Sequence, residues 1–128
     1  MREDWEQAGR TDIYLSWWYV AGHVDIARLD SLSEEQKAQA ADAARDATRE
    51  VPGWKRAEAL FVVADLYREL GRKKDSRKAL QEAEQIVEPL PNDLAMKAPM
   101  LSALSRGWAR IGKKKDAERV LGAAELAA

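Results

Sequence analysis

The chain has 128 residues, no cysteine and a formal net charge of −1. That length suits a single domain, 1–128, able to bury a core without staples, and the missing cysteine excludes disulfides, thiolate catalysis and Cys-ligated zinc. Hydrophobic residues at 46% and charged residues at 34% give a folded, soluble balance and exclude a disordered chain.

Helix formers dominate, and no stretch alternates apolar and polar over more than a few positions. The N-terminal third admits two readings. One breaks the chain at Gly22, with helices over 11–21 and 23–29. The other runs a single helix through Gly22, using Ile13, Trp17, Val20, Val24 and Ala27. A glycine inside a helix costs only about 1 kcal/mol against alanine, so both stand. A helix then begins near Glu34, because Ser31 with Glu34 and Ser33 with Gln36 each fit a capping box. Its alanine face (Ala38, Ala41, Ala44, Ala47) favours close approach of neighbours. Val51-Pro52-Gly53 turns the chain towards Trp54.

From Ala57, apolar residues recur at Leu60, Val63, Ala64, Tyr67 and Leu70, one face of a helix. Gly71 suits a left-handed C-terminal cap. The next helix carries Ala79, Leu80, Ala83, Ile86 and Val87 and ends near Glu88, because Pro89 disfavours helical geometry before it. Two helices joined so tightly pack antiparallel. The unit recurs at an offset of 41, with Gly112 standing to Gly71. Nine positions are then identical between 57–86 and 98–127, including Leu60/Leu101, Asp75/Asp116, Leu80/Leu121 and Ala83/Ala124. The matches fall on the buried face and the turn, where a repeat needs them.

The series Leu60, Ala64, Tyr67, Gly71, Ser76, Leu80, Ala83, and its second copy Leu101, Ser105, Trp108, Gly112, Ala117, Leu121, Ala124, resembles the tetratricopeptide repeat. Asn92-Asp93 after Pro91 also looks like that family's inter-repeat turn. The spacing of 41 departs from the family's 34, and Lys73 and Lys114 stand where an aromatic is usual. The resemblance covers 57–128 and reaches 8–32 only weakly. It implies an all-α fold, an α-solenoid of about three antiparallel hairpins (11–50, 54–88 and 93–127) in a right-handed superhelix of six or seven helices. It also implies a groove lined by first helices, carried over to Phe61, Asp65, Arg68 and Glu69 in one copy and Ser102, Arg106, Ala109 and Arg110 in the next. Arginine pairs with carboxylates in a directional way, so an acidic or C-terminal peptide is the expected partner. The family's carboxylate clamp uses asparagines that are absent here.

Catalytic constellations are scarce. His23 is the one histidine, and His23-Val24-Asp25 could be a base with its carboxylate or two metal ligands. Positions i and i+2 do not face each other on a helix, and one histidine without cysteine lacks the usual zinc donors. A turn histidine bonding locally is expected instead. Asp42, Asp46 and Glu50 form a carboxylate stripe interleaved with Arg45 and Arg49, the pattern of a salt-bridged exposed face. No phosphate loop or nucleophile elbow occurs. No enzyme activity, cofactor or metal is expected.

Charge is uneven: −5 over residues 1–52 and +4 over 53–128. That pattern admits an acidic partner, head-to-tail self-association, or simply solvated faces. The turns Arg72-Lys73-Lys74 and Lys113-Lys114-Lys115, reinforced by Arg77, Lys78 and Arg119, form a basic edge for an acidic ligand or a solubilising one. A pI of about 5.9 argues against a dedicated nucleic-acid binder. Trp17, Trp18 and Tyr19 span about 200° of a helix and cannot all face one core. They therefore mark a partner surface or a homodimer contact. Apolar Leu121 and Leu126 on the last helix, with no polar capping helix after it, point the same way. No segment approaches the roughly 20 apolar residues that cross a bilayer, and the acidic N-terminus lacks a signal core. No membrane partner is expected, and the cytoplasm is the expected compartment.

Overall fold

In the computed structural model, which describes residues 16–128, the first helix runs straight through Gly22. The unbroken reading of this segment therefore holds over the described residues, and His23 lies inside a helix rather than in a turn. Six α-helices follow one another without a strand among the described residues: α1 (16–27), α2 (Glu34–Ala47), α3 (Lys55–Glu69), α4 (Lys73–Val87), α5 (Lys97–Arg110) and α6 (Lys114–Ala127). The fold class is all-α, and neighbouring helices pack pairwise, α3 on α4 and α5 on α6. None of these helices is long and apolar enough to cross a membrane.

Each boundary has a local cause. Ser33 opens α2 with a complete capping box: its Oγ accepts from Gln36 N at 3.2 Å while its own N–H donates to Gln36 Oε1 at 2.9 Å. This satisfies two otherwise orphaned donors. The α2 helix stops at Ala47, and a 3-10 turn over Thr48–Glu50 leads the chain to Val51. Thr48, fully buried, donates its hydroxyl to the Arg45 carbonyl at 2.6 Å and tightens the chain there. Gly71 and Gly112 adopt φ of +76° and +79°. In both turns the residue after glycine bonds back five positions (Arg72 N to Tyr67 O, 2.8 Å; Lys113 N to Trp108 O, 2.9 Å), and the glycine N–H bonds back three. This is the same Schellman closure made twice.

Two cores result. In the first, Ala57, Leu60 and Ala64 of α3 pack with Leu80 and Val87 of α4 and with side chains of α5 and α6, including Trp108. In the second, Ala59, Val63, Leu66 and Tyr67 of α3 pack with Val20, Val24 and Ala27 of α1 and Ala40, Ala41 and Ala44 of α2. Helix α3 is thus apolar on two faces. The single stripe read from the sequence straddles both, which is why Val63 and Tyr67 turn away from Leu60.

Within each pair the helices meet at small residues, and the polar one of the two changes sides. Ser76 on α4 donates to the Ala64 carbonyl at 2.7 Å, whereas Ser105 on α5 donates to the Ala117 carbonyl at 2.7 Å. A buried hydroxyl of this kind must find a partner, and an adjacent helix carbonyl supplies it. Between the pairs, Lys97 is buried, and its ammonium spends all three donors on the Glu88 carbonyl, the Leu90 carbonyl and Asn92 Oδ1, at 3.0, 2.5 and 2.8 Å. It closes the loop that the sequence places only as Pro89 to Asn92.

Substitutions at glycine should therefore differ in sign. Gly71→Ala and Gly112→Ala each force a left-handed residue and should cost about 1–2 kcal/mol. Gly22→Ala sits in a helix with open space around the new Cβ and should gain up to about 1 kcal/mol. Thermal melts of the three variants check this.

Candidate functional site

Burial of α3 on two sides leaves a narrow polar strip between its cores, and Phe61, Asp65, Arg68 and Glu69 lie on it. Next to this strip stands α5, which also contacts α3. The two helices bring Phe61, Asp65, Arg68 and Arg110 together around a shallow pocket floored by Ala64, Ser76, Leu80 and Gly107. Its volume of about 30 Å³ admits one or two waters but no ligand of any size. The site is a half-exposed charged face, not a cavity.

Its electrostatics are unbalanced. Asp65 Oδ1 accepts from Arg68 Nε at 3.0 Å and Nη2 at 2.9 Å, and from Arg110 Nη1 at 3.3 Å. One carboxylate oxygen thus serves two guanidinium groups. Arg106 is exposed, one turn before Arg110, and makes no ion pair among the described residues. The other nearby acid, Glu69, is taken by Arg28 through two hydrogen bonds of 3.1 Å. Two arginines therefore share one carboxylate, and a third on the same helix as Arg110 has none among the described residues. Ser102 is half-buried and lies outside the pocket lining, and Ala109 is exposed. Gly107 is the residue that sequence reasoning missed. A Cβ there would lie 2.7 Å from Leu80 Cδ2, so glycine lets α5 settle onto α4. Its signal was a helix-interior glycine, which costs stability unless packing requires it.

The remaining sequence candidates are dispersed. Trp17 is half-buried against the α1–α3 core, while Trp18 and Tyr19 face outward. The carboxylate stripe of α2 does not pair within its own helix as expected. Asp42 accepts from the Tyr67 hydroxyl at 2.7 Å and pairs with Arg72 at 3.1 Å, and Arg45 reaches Glu82 on α4. Partners on adjacent helices outcompete those one turn away. The same network takes Arg72 out of the basic edge: it also donates to Asp75 at 2.7 Å and lies 4.9 Å over the Tyr67 ring. Arg119 is held by Glu84 and Asp116. Lys73, Lys74, Lys113, Lys114 and Lys115 remain exposed and unpaired among the described residues. No group of three or more His, Asp or Glu residues among the described ones is placed to hold a metal. A broad open depression of about 480 Å³ lies by the start of α3, between Arg49, Trp54, Ile86 and Leu90. Comparisons with protein-family models, curated proteins and solved structures find no match to this chain.

Burial, followed by the hydrogen bond to the Asp42 carboxylate, holds the Tyr67 phenol far above its ordinary pKa. A raised folded-state value stabilises the fold fully below pH of about 10 and is lost as pH climbs beyond that. Tyr67→Phe should cost about 1–2 kcal/mol at neutral pH through the lost charged hydrogen bond. Above pH of about 10 the gap to wild type should narrow. Denaturant titrations at pH 7 and 11 compare the two.

Proposed function

We propose that the chain is a protein-interaction module that receives an acidic peptide segment along the α3–α5 face, and that it binds rather than catalyses. The observation that carries this is the charge imbalance: Arg68 and Arg110 share the single carboxylate of Asp65, and Arg106, one turn before Arg110, has no acidic partner among the described residues. Guanidinium groups sharing a single oxygen keep unfilled donors, and a second carboxylate is the group they fit. Asp65 then acts as an internal stand-in for the ligand, and Phe61 beside it offers apolar contact. The finer architectural reading goes with this. The α3–α4 and α5–α6 pairs are read as successive units of a tetratricopeptide-like stack, with 16–50 as a divergent first unit. It is supported by the duplicated glycine turns and by the small residues at both helix crossings.

A second reading has its own support in the five unpaired lysines at the starts of α4 and α6. They would draw an acidic ligand through charge alone, without the arginine geometry.

A fluorescein-labelled hexaglutamate peptide separates the two. Arg106→Ala with Arg110→Ala should weaken binding by about tenfold, or 1.4 kcal/mol, and Asp65→Asn should tighten it several-fold by removing the competing carboxylate. Lys114→Ala with Lys115→Ala should change little. If the lysine variant loses binding and the arginine variant does not, the basic edge is the site. If none of these substitutions matters, both readings fall.

A further inference from the structure

Helix α1 is apolar on two opposite faces, and the chain buries one of them. Val20, Val24 and Ala27 enter the core. On the other side Trp18 is 72% exposed, Tyr19 67% and Ile26 47%, with Leu29 just past the helix at 50%. At 3.6 residues per turn, Trp18, Ile26 and Tyr19 fall within about 100° of one another, with Gly22 between them. The apolar surface is therefore one stripe along the helix. Aromatic side chains carry about 150–250 Å² each, so the stripe exposes on the order of 500 Å². A patch of that size is as large as the largest on a typical monomer, and such patches are often functional.

Gly22 gives the stripe its form. A Cβ at this position would meet nothing within 4 Å, so among the described residues no packing asks for glycine. Glycine there removes the bulk that would hold another backbone away. We infer that this face docks on the same face of a second copy of the chain, with the two α1 helices antiparallel about Gly22.

The area and the chemistry both favour a second copy. Two such stripes together reach the roughly 1,000 Å² at which specific interfaces begin. An antiparallel twofold pairing at Gly22 sets Tyr19 against the partner's Ile26 and Trp18 against the partner's Leu29. It also brings Asp25, exposed beside the stripe, within reach of the partner's Trp18 indole N–H. The face thus supplies its own donors, acceptor and apolar partners. Arg28, the cation beside it, is already held by Glu69 and asks for no acidic visitor. An interface of this size gives a reversible dimer, not a permanent one. It stands apart from the α3–α5 face, so the two can fail separately.

Sedimentation equilibrium of the full chain tests it. The mass should rise with concentration from 14.4 kDa towards twice that value. Trp18→Ser and Gly22→Gln should each weaken the association by about tenfold or more. Both positions are exposed, and circular dichroism verifies that each variant stays folded. Hexaglutamate affinity, measured at monomeric concentrations, should be unchanged in both. A chain that stays monomeric into the high micromolar range overturns the inference, because the stripe is then covered by the chain itself or kept for a different protein. A dimer insensitive to both substitutions overturns it equally, since the contact then lies elsewhere.

Discussion

The architecture depends on α3 having to bury two faces at once. A helix that is apolar over most of its circumference needs neighbours on opposite sides. Here α1 and α2 cover one side, and α4 and α5 cover the other. That requirement divides the interior into two cores and fixes which part of α3 stays wet. Asp65 and Arg68 lie on the remaining strip because the positions on either side of it, among them Leu60, Ala64, Leu66 and Tyr67, are committed to packing. The charged face is therefore a by-product of the core: residues that cannot go inside are lined up where α5 comes alongside.

Polar ties then set how the helices stand against each other. Tyr67, Asp42, Arg72 and Asp75 join α2, α3 and α4 in one network, and Arg45 with Glu82 joins α2 to α4. Exposed ion pairs contribute little stability singly. These include a buried phenol and half-buried guanidinium groups that link three helices, so they discriminate between packings that hydrophobic burial alone would leave close in energy. Lys97 plays a comparable part between the two hairpins, with its charge spread over three acceptors of a single loop.

What the sequence made legible was local or periodic. The capping box at Ser33, the stop before Pro89 and the glycine turns at 71 and 112 each rest on residues whose backbone preference is intrinsic. The repeat at offset 41 was visible because turn and core positions coincide. Less legible was anything that depends on a neighbour. Ala59 and Leu66 fall off the single apolar stripe, since periodicity assumes one buried face. Lys97 reads as a surface residue until the loop carbonyls are seen around it. Asp42 and Arg45 look like intrahelical partners because the distance to α3 and α4 is not written in their spacing. At the candidate site the arginines could be placed on one face from the repeat register, but the convergence of Arg68 and Arg110 on one oxygen of Asp65 could not.

The two junctions on either side of α3 and α4 interlock in opposite senses. At the first, bulk comes from the later helix: Leu66 of α3 enters a core walled by the alanines of α2. At the second, bulk comes from the earlier helix: Leu80 of α4 fills the space that a side chain on Gly107 of α5 would need. Knob and notch have exchanged places. Transposing the duplicated pairs would bring leucine against leucine at one seam and leave glycine facing alanine across a void at the other. Two helix pairs alike in their turns are thus unlike at their seams, and shape sets them apart.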